Sequence, residues 1–142
     1  MQVVMNMILD TSHMTNLATI IDKELLDAGA DHVLIVDVTG NLIMERGSLH
    51  MEDISSLAVL SAANFAATAE IAKLIGEDDF TLLFHKGDRR SIHFSRFGKE
   101  YIIITLFDDN VSLGLIRIKS GKAIQELSSI LYGNEGRQRW PL

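Results

Sequence analysis

Residues 52–76 read EDISSLAVLSAANFAATAEIAKLIG, and this stretch decides the fold. It predicts one long helix, because no proline or internal glycine interrupts it, Asp53 lies near its start and Gly76 provides a C-terminal stop. A projection at about 100° per residue gathers one stripe of side chains, which we expect to face a sheet. The stripe comprises Ile54, Leu57, Leu60, Asn64, Ala67, Ile71, Leu74 and Ile75.

The opposite side of this helix is also largely apolar. No charged residue occurs over the 16 residues from Ile54 to Ala69, whereas a surface helix normally carries charge on its outer face. We therefore expect the helix to be covered on both sides, and in a chain this small the second cover is expected to be another molecule. The run is too short and too rich in small polar residues to span a bilayer, so we predict no membrane insertion. This second side comprises Val59, Ala62, Ala63, Ala66, Ala69, Glu70 and Lys73.

Length and composition limit the possible classes of protein. The 142 residues are enough for one domain with its own hydrophobic core. The lack of cysteine excludes disulfide frameworks, thiolate metal sites and thiol nucleophiles, and it favours a reducing, cytoplasmic location. The formal net charge is -6, and the lysines and arginines are scattered, which argues against binding to nucleic acid.

The N-terminal part predicts an amphipathic helix. Apolar residues recur at spacings of three and four from Met14 to Ala28, with Ser12 as a plausible N-cap and Gly29 as the stop. We treat residues 1–11 as a lead-in to the domain.

Five short segments rich in β-branched and aromatic residues predict strands. The first is apolar enough to be central in a sheet, and a tight turn joins it to the second as a hairpin. The last three are joined by turns too short for any pairing but antiparallel. The third is partly apolar on both faces, and such a strand at a sheet edge invites pairing with a second copy. The predicted strands are residues 33–38, 42–46, 80–85, 91–97 and 100–107.

The segment after the last strand allows two structures. Residues 111–119 alternate as in a strand, whereas the apolar residues from Leu113 to Leu131 fit a helix of about five turns. We predict a helix, because Asp108–Asn110 stand where an N-cap and its favourable charge belong. Residues 133–142 are predicted to be an irregular tail. The order helix, two strands, helix, three strands, helix gives an α+β sandwich with an antiparallel sheet.

Three stretches carry a family resemblance. They are SLAVLSAANFAATAEIAKLIGEDDF at residues 56–80, FHKG at 84–87 and ITLFDDNVSLGLIRIKSGKAIQELSSIL at 104–131. Together they resemble the Roadblock (dynein light-chain seven) family, and most closely its bacterial MglB branch. The resemblance implies a single Roadblock domain with its core at residues 12–132. It also implies a five-stranded antiparallel sheet with one helix on one face and two on the other.

The resemblance further implies a partner and an activity. Members of this family form homodimers by aligning the edge strand and the long helix of each copy. The MglB branch binds a small Ras-like GTPase of the MglA kind, and accelerates its GTP hydrolysis by remodelling the switch regions without inserting an arginine. The chain would then be a regulator in cell polarity or motility rather than an enzyme, with no cofactor. MglB relatives often carry a long C-terminal tail, so the short tail here puts any tail-dependent nucleotide exchange in question.

Two sets of residues carry these implied contacts. Small side chains on the outer face let a partner approach closely, and a flat apolar patch is stable in water when it is usually covered. The implied GTPase-binding residues are Val59, Ala62, Ala63, Ala66, Glu70 and Lys73. The implied dimer-interface residues are Phe65, Ala69, Phe80, Leu82 and Phe84.

Other interpretations stay open. The chain could be a Roadblock scaffold that holds a GTPase or motor complex without affecting hydrolysis, or a small-ligand sensor, for which we find no convergent polar cluster. Asn64 is expected to be buried and hydrogen-bonded in the helix stripe rather than catalytic. Arg89 and Arg90, at a hairpin tip, could act as an arginine finger, although solvated turn residues are the commoner case.

Metal and nucleotide sites are not expected. Counting back from the turn at residues 87–88 places His85 opposite Arg90 rather than His93, so the two histidines should not share a metal. The segment GLIRIKSGKA from Gly114 is not a phosphate loop, because six residues rather than four separate its glycines.

Overall fold

A computed structural model describes residues 11–80 and 83–138, and it confirms the predicted order of elements. Helix α1 spans Thr11–Ile21, and a π-helical turn at Asp22–Leu26 continues it. The other elements are β1 (His32–Asp37), β2 (Leu42–Gly47), α2 (Ile54–Leu74), β3 (Leu83–Lys86), β4 (Arg90–Phe97), β5 (Tyr101–Asp108) and α3 (Leu113–Gln138).

The strands form one antiparallel sheet in the order β2-β1-β5-β4-β3. At its centre Ile35 of β1 lies opposite Ile103 of β5, and Ile104 of β5 lies opposite Phe94 of β4. The prediction of a central first strand is confirmed, since β1 is buried from His32 to Val36. Strands β2 and β3 are the two edges of the sheet.

Helices cover both faces of the sheet. Side chains alternate along β1, so that Val33 and Ile35 join a core beneath α1 and α3, while Leu34 and Val36 join a second core beneath α2. The predicted α+β sandwich is therefore confirmed, and each sheet face has its own hydrophobic cluster.

The start of α1 differs from the prediction. Because the helix already includes Thr11, Ser12 lies within its first turn and is not the N-cap. The stop at Gly29 is confirmed: this residue has φ of 112°, and its N–H donates to the carbonyl of Leu26 at 2.9 Å. The lead-in prediction for residues 1–10 lies outside the described residues.

Helix α3 begins at Leu113, which confirms the choice of helix over strand. Its cap is Ser112 rather than Asp108–Asn110, because the N–H of Leu115 donates to Ser112 Oγ at 3.1 Å. The Asp108 carboxylate is used in its own turn, where it accepts the N–H of Asn110 at 2.9 Å.

The prediction of an irregular tail is wrong for residues 134–138, and residues 139–142 lie outside the described residues. Gly133 departs from helical geometry with φ of 69° and ψ of -155°, yet helix resumes beyond it to Gln138. Just before this break, the Tyr132 hydroxyl donates to Glu100 Oε2 at 2.8 Å and ties α3 to the turn between β4 and β5. Gly98 is required in that turn, because its φ is 63° and a Cβ there would collide with the Tyr132 ring.

Candidate functional site on helix α2 and the β3 edge

Helix α2 packs on the sheet through small side chains. Ala58 and Ala72 are fully buried, and Ser61 and Ala62 are 3% and 5% exposed. The sheet beneath supplies the large groups of this core, among them Leu34, Ile102 and Ile104. The helix therefore lies close above them, and only small residues fit between.

The predicted sheet-facing stripe is wrong for most of its members. Ile54 and Leu57 are half-buried against the sheet, but Leu60, Ile71 and Leu74 are 67%, 53% and 85% exposed. The helix is rotated so that Ala58, Ser61, Ala62 and Ala72 face inward. We call the exposed apolar side the leucine flank; it comprises Leu60, Ala67, Ile71, Leu74 and Ile75.

A second exposed flank runs along the other side of α2, beside the β1–β2 turn. Val59 is 55% exposed and lies against that turn, where a Cβ added to Gly40 would be 3.1 Å from the Val59 Cα. Near the helix end, Lys73 Nζ pairs with Glu70 Oε1 at 3.3 Å. We call this side the valine flank; it comprises Val59, Ala63, Ala66, Glu70 and Lys73.

The leucine flank continues into the β3 edge of the sheet. Asn64 lies beside this flank, half-buried, and its Nδ2 is 3.1 Å from Nε2 of His85 on β3. The predicted hydrogen bond of Asn64 is therefore confirmed, although it is made to an edge strand and not within a central core. The backbone of β3 pairs with β4 on one side, and the described residues provide no strand on its other side. Helix flank and strand edge thus form one continuous unpartnered surface.

The residues implied for GTPase binding separate into two groups. Five of the six form the exposed valine flank. Ala62 is the exception, because it is 5% exposed and packs on the sheet of its own chain, so its expected place on an outer docking face is wrong.

The residues implied for the dimer interface are mostly occupied within the chain. Phe65 is half-buried against the sheet, with the Arg96 guanidinium 5.2 Å from its ring centroid. Phe84 stacks on Phe107 with ring centroids 6.1 Å apart, on the sheet face opposite α2. Ala69 is half-buried and Phe80 is 38% exposed, just before β3. Leu82 lies outside the described residues.

Strand β3 differs from its prediction in register. Among the described residues it spans Leu83–Lys86, Phe80 is outside it, and His85 lies opposite Ile92, not opposite Arg90 as predicted. His93 faces Phe84 instead. The turn between β3 and β4 is centred one residue later than the count assumed, which moves the whole register.

The described residues contain no obvious chemical centre at this surface. Over residues 11–80 and 83–138, no three histidine, aspartate or glutamate side chains come together as a metal site. Arg90 pairs with Asp31 at 3.5 Å, so it is held at the sheet end, and Arg89 is exposed on the turn. Among the described residues, the polar features of this surface are the Glu70–Lys73 pair and the hydrogen bond between Asn64 and His85.

Helix α2 is also the described helix whose length and composition would allow a membrane span. An 18-residue stretch within this helix has a mean hydropathy of 1.4, and 17% of that stretch is buried. A single helix of this kind is weak support for a span. Packing of its small residues on the sheet accounts for part of this apolar composition. The absence of membrane insertion stays a prediction.

Comparison with known proteins assigns the family. The sequence profile of the Roadblock/LC7 domain matches residues 17–107, which include α2 and all five strands. The chain belongs to the Roadblock/LC7 domain family. The resemblance stated from the sequence is thereby confirmed.

Solved structures place this Roadblock chain near the MglB proteins. MglB of Myxococcus xanthus is 37% identical, with 85% of this chain and 90% of that chain covered at a TM-score of 0.78. The gliding protein MglB of Thermus thermophilus is 26% identical, covering 86% and 93% at a TM-score of 0.78. An MglB in a tetrameric arrangement is 25% identical, covering 89% and 94% at a TM-score of 0.79.

Proposed function

We propose that this Roadblock chain is a homodimeric regulator that binds a small Ras-like GTPase of the MglA type and accelerates its GTP hydrolysis. The similarity to MglB supports a regulator of a GTPase. The observation that carries the proposal is the exposure of both flanks of α2, because large apolar side chains are costly to leave in water. The protein acts in the cytoplasm, without a cofactor, in cell polarity or motility.

The leucine flank and the β3 edge form the dimer surface. Antiparallel pairing of two β3 strands would satisfy the unpaired backbone groups of each edge and join the two sheets into one. The same symmetry would bring two α2 helices side by side, leucine flank to leucine flank. Full burial of Leu60, Ile71 and Leu74 would contribute about 2 kcal/mol per side chain. Phe80 can extend this contact, whereas the rings of Phe65 and Phe84 are used within the chain.

The valine flank then forms the GTPase surface. Ala63 and Ala66 allow the switch regions of a GTPase to approach the helix backbone, and Val59 adds apolar contact area. Glu70 and Lys73 provide a polar rim at one end. In a dimer with adjacent α2 helices, the two valine flanks lie on either side of the helix pair, and one GTPase could span both.

Acceleration requires a difference in affinity between two GTPase states. A dimer that binds the hydrolysis-competent arrangement of the switch regions more tightly than the relaxed one shifts the population toward it. The catalytic groups remain those of the GTPase, so the regulator needs shape and no arginine finger of its own.

The test is GTP turnover by the cognate GTPase with and without this protein. We expect faster hydrolysis, which Ala66→Arg abolishes because a long cation on the valine flank blocks close approach. Thr19→Arg is the matched control, since Thr19 is exposed on α1 at the opposite sheet face. Binding that survives Ala66→Arg unchanged would place the docking surface elsewhere.

A scaffold is the second candidate function. It is favoured by the same surface, which offers contact area and, over the described residues, no cluster of metal-binding side chains. The tetrameric arrangement of one MglB also favours it. In that case the GTPase binds with the same sensitivity to Ala66→Arg, but its hydrolysis rate does not change. Measuring binding and turnover on the same samples distinguishes the two functions.

A further inference from the structure

A groove of about 640 Å³ lies on the sheet face opposite α2, between β4 and α3. Strand β4 contributes His93 and Ser95, and α3 contributes Arg117, Ile118 and Lys122. Gly114 and Gly121 on α3 have no side chain, which leaves the space open. Among residues 11–80 and 83–138, no acidic residue lines the groove.

His93 is a buried polar group in this groove that lacks a partner. Its side chain is 4% exposed, and its Nδ1 has no hydrogen-bond partner in the described structure. Burial, followed by the nearby charge of Arg117, lowers the pKa of His93 to about 4, so the ring is neutral at neutral pH. A buried nitrogen without a hydrogen bond is destabilising, and an incoming polar group would relieve that cost.

The groove is cationic and has an apolar rim. Arg117 is exposed and forms no ion pair within the described residues, whereas Lys122 reaches Glu24 only at 3.8 Å. Ile118, which lines the groove, is 69% exposed, and Leu115, three residues earlier on α3, is 37% exposed. A ligand that fits would combine carboxylates with apolar side chains.

This chain displays such a segment itself, at the end of α2. Residues 75–80 read IGEDDF, and all six are exposed. The three carboxylates, of Glu77, Asp78 and Asp79, form no ion pair with the described residues. Ile75 and Phe80 flank them with apolar surface. Helix α2 and the groove are on opposite faces of the sheet, and residues 75–80 are not among the residues that line the groove of their own chain.

We propose that residues 75–80 of one copy dock in the α3–β4 groove of a second copy, with the acidic side chains next to Arg117 and the apolar ends on Ile118. The contact joins two different surfaces, so it is heterologous and is separate from the twofold pairing of β3 edges. This contact links one dimer to the next. It places residues 75–80, which follow α2 in one copy, between β4 and α3 of the neighbouring copy.

Disulfide trapping tests the contact directly, because the chain has no cysteine of its own. Protein carrying Ile118→Cys is mixed with protein carrying Asp78→Cys under mild oxidation, and the disulfide between the two is measured by mass. We expect a yield about 10-fold above that obtained with Lys99→Cys, an exposed control position on the β4–β5 turn. Equal yields from Asp78→Cys and Lys99→Cys would overturn the proposal. Preferential bonding of Ile118→Cys to Met5→Cys would also overturn it, by placing residues 1–10 in the groove.

Charge reversal tests the same contact without oxidation. Sedimentation velocity from micromolar to millimolar protein should show concentration-dependent assembly beyond the basal oligomer. Arg117→Glu should weaken this assembly about 10-fold, and Lys99→Glu should not. Combining Arg117→Glu with Asp78→Lys and Asp79→Lys should restore it. No assembly in the wild type, equal weakening by Lys99→Glu, or failure of the combined variant to recover would each refute the contact.

Discussion

The two faces of the sheet are covered in opposite ways. Beneath α1 and α3 the largest side chains point inward, and Leu17, Ile116 and Leu127 are at most 1% exposed. On that face the carboxylate of Glu24 is buried, and its Oε2 lies 3.4 Å from Nζ of the exposed Lys23. Beneath α2 the fully buried positions are small, whereas Leu60, Ile71 and Leu74 point outward. The core beneath α1 and α3 therefore buries large side chains from its helices, whereas α2 leaves several of its large side chains exposed.

The largest expected effect is on the free energy of unfolding, through the core beneath α1 and α3. Leu127→Ala should lower the free energy of unfolding by about 2–5 kcal/mol, because it leaves a cavity where the side chain is fully buried. Leu115→Ala on the same helix is the control, and it should cost far less because Leu115 is partly exposed. Urea denaturation measures both. A similar loss of stability in the two variants would contradict the assignment of Leu127 to the core and of Leu115 to the surface.

The exposed flank should determine association instead of folding. Leu60→Asp should leave the helical circular dichroism signal intact but weaken self-association about 100-fold, or about 3 kcal/mol, because the dimer would bury an unpaired charge. Light scattering should then report the mass of one chain. Val59→Asp on the valine flank is the matched control and should retain twice the chain mass. The reverse outcome would exchange the roles of the two flanks.

The close approach of α2 to the sheet gives a third prediction. Ala58→Leu should lower the free energy of unfolding by about 1–3 kcal/mol, because a larger side chain cannot fit between helix and sheet without displacing them. Ala66→Leu makes the same change on the exposed side and should be nearly neutral. If thermal denaturation showed equal losses, the rotation assigned to α2 would be incorrect.

The smallest expected effect is on the pH dependence of stability, through His93 on β4. Burial lowers the pKa of His93 to about 4, so the unfolded chain binds a proton near pH 6 that the folded chain does not. Stability from this group is therefore lost as pH falls, by about 1 kcal/mol between pH 6.5 and 5.5. His93→Gln should remove that part of the slope when unfolding is measured at both pH values. An unchanged slope would show that His93 is protonated in the folded protein.

Much of the fold was predictable because its signals are local. The order and approximate positions of the predicted elements, the stop at Gly29 and the helix after Ser112 follow from periodicity and from residues that end helices. Boundaries were less certain. Ser112 and the three preceding polar residues, 108–110, are all residue types that cap helices. The sequence of that turn does not show which of them caps α3. The register of β3 depended on where its turn is centred, and a difference of one residue was enough to displace it.

The candidate site was only half predictable. The sequence indicated that α2 has two apolar sides, but the leucine flank was assigned to the interior and Ala62 to the exterior. The recurrence of small residues at Ala58, Ser61, Ala62, Ala69 and Ala72 was the available signal for the inward side. The groove at His93 and Arg117 gave no sequence signal, because its walls come from a strand and a helix that are brought together only by folding.

The elements, their order and the family can be inferred from the amino-acid sequence, since hydrophobic spacing, glycine stops and the length of turns act over a few residues. The side of α2 that faces the sheet is known only from the folded chain. A helix that is apolar nearly all round has little preference of its own, so its rotation depends on the space left above Leu34, Ile102 and Ile104. Those side chains come from strands distant in the sequence, and at the fully buried positions 58 and 72 they leave room for alanine.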